Sequence, residues 1–403
     1  MITKEFFPGK KVKTPTGKEH TCSSCGLYKD CVTKRMNPYG NFKKGIMNIG
    51  EAPSEFDDRS GKPWQSRTGR ILQKNYEKLG IDLFEDCINI NATRCYSDQH
   101  KFPSKYEIDC CRRFVLSAIE TYKPKLIILL GDSAIYSLIG HRWKLNFGNI
   151  TKWRGWTIPD QELKTWVCPV FSPDQILEND NDVERTIWKN DLKKAFSKLD
   201  EPIPIYQEPD IEVIDDLYRL TNVRSDFAFD YETTGLKPHE KGHRIVCCSI
   251  AVSADHVYVF MIPPTRKEVQ PFIDLLANPN IGKIAQNMKF EDAWSTVRLR
   301  QPVENWVWDT MLAAHILDNR VGVSGLKFQT YVQLGVIDYA SEVTPYLKAV
   351  DNKNANALNK IMELVELPGG KEKLMKYCGY DAINEYRISI LQRKLIYENA
   401  LPF

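Results

Sequence analysis

Two acids stand two residues apart at the end of an apolar run, Phe227-Ala-Phe-Asp-Tyr-Glu-Thr-Thr-Gly-Leu236. Alternate side chains of a strand share one face, so Asp230 and Glu232 point the same way. Two carboxylates on a partly buried face repel each other and lose hydration unless cations neutralise them. Divalent ions with oxygen ligands do this, and Mg²⁺ is the usual choice. Three later segments carry acids that suit the same purpose. Lys283-Ile-Ala-Gln-Asn-Met-Lys-Phe-Glu-Asp292 reads as a strand running into a helix that begins with acids. Trp308-Asp-Thr-Met-Leu-Ala-Ala-His-Ile-Leu-Asp318 reads as an amphipathic helix with an Asp at its start. In Tyr377-Cys-Gly-Tyr-Asp381 a phenol and a carboxylate lie at i and i+4, on one helix face.

A second chemistry is written in cysteine. Cys22-Ser-Ser-Cys25 brings two sulfurs to one ion, and Cys95 and Cys111 follow later in the chain. Four thiolates complete a tetrahedral set, which zinc and a [4Fe–4S] cluster both accept. The remaining thiols, Cys31, Cys87, Cys168, Cys247, Cys248 and Cys378 among them, read as packing residues. With 11 cysteines and no apolar signal-peptide core in MITKEFFPGKKVK, the chain is expected in the cytoplasm. There, thiols and a metal site are the expectation rather than disulfides.

These residues need scaffolds, and 403 residues suit two domains of about 200 residues each. The composition is that of a soluble globular protein, 42% hydrophobic and 27% charged, and no stretch approaches the ~20 apolar residues of a membrane span. A net charge of +3 says little about nucleic acid, because local basic patches decide that. The Pro-rich, acidic stretch around Leu199-Asp-Glu-Pro-Ile-Pro-Ile-Tyr-Gln-Glu-Pro209 disfavours helix and central strand. The expected domains are therefore 1–199, a linker 200–209, and 210–403. Before the linker, apolar runs at 46–49, 87–91, 125–130 and 166–170 alternate with helical segments at 69–79, 105–122 and 182–198, the α/β pattern of a parallel, doubly wound sheet. After it, runs at 227–231, 244–252 and 256–262 follow closely, as antiparallel neighbours do. Helical segments follow at 267–277, 288–299, 309–317 and 371–395, with a short strand at 283–286. That order is the ribonuclease H-like pattern.

The motifs of the second half, D-x-E-T, N-x-K-F-[DE], W-D-T-M-L-A-A and Y-x-x-x-D, resemble the proofreading 3′→5′ exonuclease domain of family A (DNA polymerase I-type) DNA polymerases, in its tyrosine-containing DEDD branch. The resemblance covers roughly Ile211 to Leu395. It implies that Asp230, Glu232, the acid of the second motif and Asp381 hold two divalent ions, Mg²⁺ or Mn²⁺. The ions generate a hydroxide and stabilise the leaving 3′ oxygen. Tyr377 would orient the attacking water and Leu236 would wedge against the terminal base. Asn287 would contact the strand near the scissile phosphate, with Thr233 beside it in the first motif. The family has Asp where this chain has Glu291, followed by Asp292. Adjacent helical residues diverge by about 100°, so one acid reaches the ion, and the register favours Glu291.

In the first half, Gly50-Glu-Ala-Pro-Ser-Glu-Phe-Asp-Asp58, Gly61-Lys-Pro-Trp-Gln-Ser-Arg-Thr-Gly-Arg-Ile-Leu72, Asn91-Ala-Thr-Arg-Cys95 and Pro124-Lys-Leu-Ile-Ile-Leu-Leu-Gly-Asp-Ser-Ala134 resemble family-4 uracil-DNA glycosylases and the glycosylase-like domains of phage DNA polymerases. The resemblance runs from about Thr21 to Leu199 and implies a [4Fe–4S] cluster on Cys22, Cys25, Cys95 and Cys111. Cys110 is the neighbouring alternative. Glu51 and Asp57 match the water-activating acids, with Asp57 in place of Glu. Ser54 replaces a Gly, and Trp64 stands where a Phe stacks on the flipped base. Asn91 matches the residue that reads the base edge. In Val170-Phe-Ser-Pro-Asp174, Ser172 replaces the His that stabilises developing charge, a loss of ~10²–10³ in rate.

The expected fold is thus α/β, a uracil-DNA glycosylase-like parallel-sheet domain followed by a ribonuclease H-like exonuclease domain. The expected function is the proofreading exonuclease module of a phage-type polymerase, acting on single-stranded 3′ ends and primer-template DNA. Its first domain would bind DNA with weak or no glycosylase activity. The chain stops where the family's polymerase portion begins, so a polymerase domain or subunit is the expected partner. No membrane is expected, and a phage-encoded chain would work in the host cytoplasm. The alternatives are an active uracil-DNA glycosylase with an accessory exonuclease, and a non-catalytic DNA-binding scaffold of a split polymerase. Lys10, Lys11, Arg67, Arg70, Lys152, Trp153 and Arg154 are candidate contacts to phosphates and bases.

Overall fold

The computed structural model describes residues 22–99, 102–337, 339–349 and 356–399. Lys10 and Lys11 lie outside them. The chain divides into two compact units, Met1–Pro204 and Ile205–Phe403.

In the first unit the order is β1 (Ile46–Gly50), α1 (Glu55–Ser60), α2 (Arg67–Glu77), β2 (Cys87–Asn91), α3 (Lys105–Tyr122), β3 (Leu126–Leu130), α4 (Asp132–Ile135), α5 (Ile150–Trp153), β4 (Ile158–Asp160), β5 (Thr165–Val170), α6 (Pro173–Glu178) and α7 (Asp182–Phe196). The strands form a sheet in the order β2-β1-β3-β5-β4. All neighbours are parallel except β4, which runs antiparallel to β5. The central strands β1 and β3 are buried at every position, which is why β3 is a continuous apolar run rather than an alternation. The short edge strand β4 was not anticipated, because Pro159 argues against a strand. At an edge the missing N–H of proline is tolerated. Capping boxes fix two helix starts, Ser54 with Asp57 on α1 and Ser104 with Glu107 on α3.

The second unit runs β6 (Asp210–Val213), β7 (Phe227–Thr233), β8 (Ile245–Ala251), β9 (His256–Met261), α8 (Arg266–Leu276), β10 (Lys283–Ala285), α9 (Met288–Trp294), β11 (Trp306–Asp309), α10 (Thr310–Leu317), α11 (Leu326–Gln329), α12 (Thr344–Leu347), α13 (Ile361–Glu366) and α14 (Gly370–Asn399). Its sheet has the order β11-β10-β7-β8-β9-β6. The meander β7-β8-β9 is antiparallel, and β10 and β11 add in parallel on the β7 side. A core of Phe227, Phe229, Tyr231, Phe260, Phe272 and Trp294 packs one face, while α14 lies against β7, β8 and β9.

One reading changes here. Trp308 belongs to strand β11 and not to the helix after it, as the aromatic and β-branched run Trp306-Val-Trp favours. Asp309 ends that strand and caps α10, accepting from the N–H groups of Met311 and Leu312. The end of the Pro-rich stretch is tied down. Tyr206 and Glu208 hydrogen-bond to Asn384 and Tyr380 of α14 at 3.0 and 2.6 Å, just before the edge strand β6.

Candidate active site

Strand β7 delivers Asp230 and Glu232 to the same side of its sheet, opposite Ser249 and Cys247 of β8. Glu232 is buried and Asp230 half-buried. Next to β7, the short strand β10 ends at Ala285, and Asn287 turns the chain with φ 66° and ψ 57°, a left-handed conformation that Asn tolerates. The Asp309 carboxylate holds that turn by accepting from the N–H groups of Asn287 and Met288. One turn on, Glu291 is 2% exposed, and its Oε2 has no hydrogen-bond partner among the described residues. Its neighbour Asp292 faces the other way and accepts from the N–H of Val303 at 3.0 Å. Asp230 is close enough for its charge to act on Glu291.

Helix α14 contributes the third side. Tyr377, Asp381 and Glu385 repeat every four residues, and all are buried. Asp381 accepts from the Tyr339 hydroxyl at 2.7 Å and pairs with the Lys327 ammonium. Glu385 Oε2, like that of Glu291, is buried without a partner among the described residues. Cys378, beside Tyr377, places its sulfur so that it and carboxylate oxygens of Asp230 and Glu232 all lie within 4.8 Å of one another.

Electrostatics follow from this crowding. Burial pushes the carboxyls of Asp230, Glu232, Glu291 and Glu385 well above the ordinary carboxylate range. Mutual repulsion adds to it, from Asp381 on Asp230 and from Asp230 on the other three. Lys327 opposes the rise at Asp230, Glu232 and Glu385. Burial likewise raises the Tyr377 phenol, with Asp381 and Glu232 adding their charge. Carboxylates this close, two with buried unpartnered oxygens, fit a site that receives divalent cations.

Thr233 and Leu236 sit past the end of the acidic pair. The Thr233 hydroxyl donates to Gly235 O at 2.7 Å, while Leu236 is 66% exposed, free to meet a ligand. Sequence reasoning missed Lys327, Tyr339, Glu385 and the holding role of Asp309. It also placed Cys378 among the packing thiols.

In the first unit, Glu51 leaves β1 and its carboxylate packs over Gly131, accepting from Ser133 N–H at 3.1 Å. Burial pushes the Glu51 carboxyl up to about 7, and Asp132 and Asp174 nearby add to the rise. Glu51 and Ser172 both line one cavity of about 460 Å³, together with Phe102, Tyr136 and Phe147. Ser172 caps α6, accepting from Gln175 N–H at 3.2 Å. Asp57 is engaged structurally: its carboxylate accepts from the N–H groups of Ser54 and Gln65, at 2.9 and 2.6 Å. Trp64 and Asn91 do converge. The Trp64 ring and Asn91 Oδ1 both come within 2.9 Å of where a side chain at Gly50 would begin. A side chain at Gly50 would have to displace them.

The four candidate cysteines approach from separate elements: Cys22 and Cys25 from a loop, Cys95 beyond β2, and Cys111 on α3. Burial pushes the Cys111 thiol up to about 12 and Cys95 to about 11. Cys25, Cys95 and Cys22 each add negative charge at Cys111. All are free thiols. Among the described residues no three of these sulfurs lie within 4.8 Å of one another. Two of the candidate nucleic-acid contacts are engaged elsewhere. Trp153 is fully buried, and Arg154 pairs with Asp191 through two bonds of 2.7 and 2.9 Å.

The two halves match two family models, the uracil DNA glycosylase superfamily over residues 37–199 and the 3′-5′ exonuclease domain of DNA polymerase A type over 208–392. The chain belongs to the uracil DNA glycosylase superfamily through its first half and carries a 3′-5′ exonuclease domain in its second. The type-4 uracil-DNA glycosylase of Thermotoga maritima is 31% identical over 176 residues, 44% of this chain and 88% of that protein. The DNA polymerase of Bacillus phage SP01 is 23% identical over 335 residues, 74% of this chain but 35% of the polymerase. DNA polymerase I of Chloroflexus aurantiacus is 29% identical over 50% of this chain and 20% of its own length. Brucella melitensis NrnC with bound Mg²⁺ aligns at 18% identity and TM-score 0.34 over 48% of this chain and 82% of its own, too weak a likeness to support an assignment. The exonuclease domain implies divalent metals, and no helix of the described residues is long and apolar enough to cross a membrane.

Proposed function

We propose that this chain is the proofreading module of a phage-type DNA polymerase, removing nucleotides from single-stranded 3′ ends of primer-template DNA. One observation carries the reading: buried carboxylates from β7, α9 and α14 crowd together closely enough to repel one another, and the Lys327 ammonium pairs with Asp381 among them. Asp230, Glu232, Glu291 and Asp381 would hold two Mg²⁺ or Mn²⁺ ions, which supply charge neutralisation and an activated water. Tyr377 would orient that water for attack on phosphorus, and the bond to the 3′ oxygen breaks as the oxygen takes up a proton. Asn287, at the turn beside Glu291, Thr233 and the exposed Leu236 would contact the terminal nucleotides. The partner would be a polymerase domain or subunit, and the working place the cytoplasm, that of the host if the chain is phage-encoded. Residues 1–199 would form the DNA-binding domain with a [4Fe–4S] cluster on Cys22, Cys25, Cys95 and Cys111, 200–209 the linker, and 210–403 the exonuclease. The test is Mg²⁺-dependent digestion of matched and 3′-mismatched primers, with faster loss of the mismatch expected. An Asp230→Ala variant as fast as the parent sinks the reading.

A second reading, uracil excision by the first domain, is favoured by Glu51, which lines its cavity with a carboxyl poised near neutrality. Opposing it, Ser172 carries no positive charge. Glu51, Asp57, Trp64 and Asn91 would serve the flipped base in that reading. Release of uracil from single strands by the parent would establish it. Release only after Ser172→His would show a retained pocket without its electrostatic donor.

A further inference from the structure

Lys327 lies on the short helix α11, 54 residues before the Asp381 with which it pairs. Its ammonium is held on several sides. It donates to the Tyr339 hydroxyl at 2.9 Å, and that hydroxyl donates to the same Asp381 oxygen at 2.7 Å. The Tyr339 and Tyr377 rings lie 4.1 and 4.3 Å from the ammonium, with their planes 29° apart. Both rings face the cation with their negative π-surfaces. So Lys327 touches the phenol assigned to the attacking water and the acid assigned to the ions.

The charge balance gives this arrangement a consequence. Asp230, Glu232 and Glu385 feel negative neighbours, and the Lys327 ammonium, paired with Asp381 beside them, is the positive charge that opposes these. Buried carboxylates need a cation to persist, and without a metal the ammonium is that cation. Divalent ions would neutralise the same oxygens, so ammonium and ions repel across one pocket and bind at each other's expense. An ordinary salt bridge would not do this, since a pair outside the pocket leaves ion affinity untouched.

Resting on the exonuclease reading, we infer that Lys327 is the resident counter-ion of the metal-free site. It is a positioning residue that keeps Asp381 and Tyr377 in register and sets how tightly divalent ions bind.

Mn²⁺ titration of the full chain, followed by the paramagnetic signal of free Mn²⁺, tests this. Mn²⁺ prefers oxygen donors, so the cysteine set does not interfere. Lys327→Met is expected to bind Mn²⁺ roughly tenfold more tightly or better, and to melt lower in chelator with recovery on adding Mn²⁺. Lys327→Arg keeps the charge and should stay closer to the parent's affinity than Lys327→Met does. If Lys327→Met does not fold, Tyr339→Phe serves. Losing the hydroxyl shared with Asp381 loosens the ammonium, so a several-fold gain in affinity is expected. Unchanged or weaker Mn²⁺ binding by the folded variants overturns the inference. If the parent also shows no Mn²⁺ binding that Asp230→Ala removes, the exonuclease reading falls with it. If Asp230→Ala does remove binding, the inference about Lys327 falls alone.

Discussion

Asp309 accepts the backbone N–H groups of both Asn287 and Met288, each at 3.1 Å, from the last position of the neighbouring strand β11. The same carboxylate caps α10 through Met311 and Leu312. One side chain therefore sets the left-handed turn that starts α9, and with it the direction in which Glu291 points. Asp309→Ala should lose about 1–2 kcal/mol of stability from the missing cap. It should also slow Mg²⁺-dependent digestion by at least about tenfold, since small misplacements of catalytic groups are costly. Denaturant unfolding and primer digestion check the two effects. Digestion at the parent's rate would separate Asp309 from the site.

Glu291 and Asp292 should part company on mutation. Glu291 is buried, its Oε2 has no partner among the described residues, and Asp230 adds charge beside it, so Glu291→Ala should cost ~10²–10³ in digestion rate. Stability in chelator should hold or rise, because an uncompensated buried acid has gone. Asp292→Ala leaves Val303 N–H without its acceptor and should cost about 1–2 kcal/mol, with the rate within a few-fold of the parent. The reverse pattern would move the ion to Asp292.

How far the site is legible before folding depends on where its partners lie. Asp230 and Glu232 could be paired from period-2 geometry, and Tyr377 with Asp381 from one helical turn, because those relations are local. Lys327 could not be found, since nothing in Leu326-Lys-Phe-Gln329 signals a partner 54 residues away. Cys378 looked like any buried thiol, which it also is. Glu385 extends the Tyr377–Asp381 face by one more turn, and the same i+4 rule would have found it. In the fold, β4 and β6 were hidden by proline and by a short, acidic, half-exposed stretch. Edge strands carry little hydrophobic pattern, so composition argues against them.

The pH dependence of the first unit should turn on Glu51. Its carboxyl is pushed up from an ordinary 4.5 to about 7 in the folded chain. Between those values the unfolded chain has already released the proton that the folded one retains. Stability from this group is thus fully present below pH 4.5 and lost as pH rises through about 7. Glu51→Gln cannot ionise and should escape the loss. It should equal the parent in acid and exceed it by roughly 1–3 kcal/mol at pH 8. Melting curves at pH 4.5 and 8 would show the divergence, and parallel curves would mean that the site relaxes on ionisation.

Cys110 and Cys111 are adjacent on α3, so their side chains leave the helix about 100° apart. Cys111 feels Cys25, Cys95 and Cys22 together, and the Arg94 N–H is directed at its sulfur. Cys110 feels Cys25 and Cys22 but is engaged by the Tyr106 hydroxyl. Cys95 is thus close enough to act on Cys111. Cys111→Ser should purify without iron or visible absorbance and should unfold more readily, because a lost ligand removes the folding energy that a bound cluster contributes. Cys110→Ser should keep both the colour and the stability. Iron and sulfide content of the two variants, measured on protein purified without air, decides between them, and loss of iron in Cys110→Ser alone would exchange the assignments.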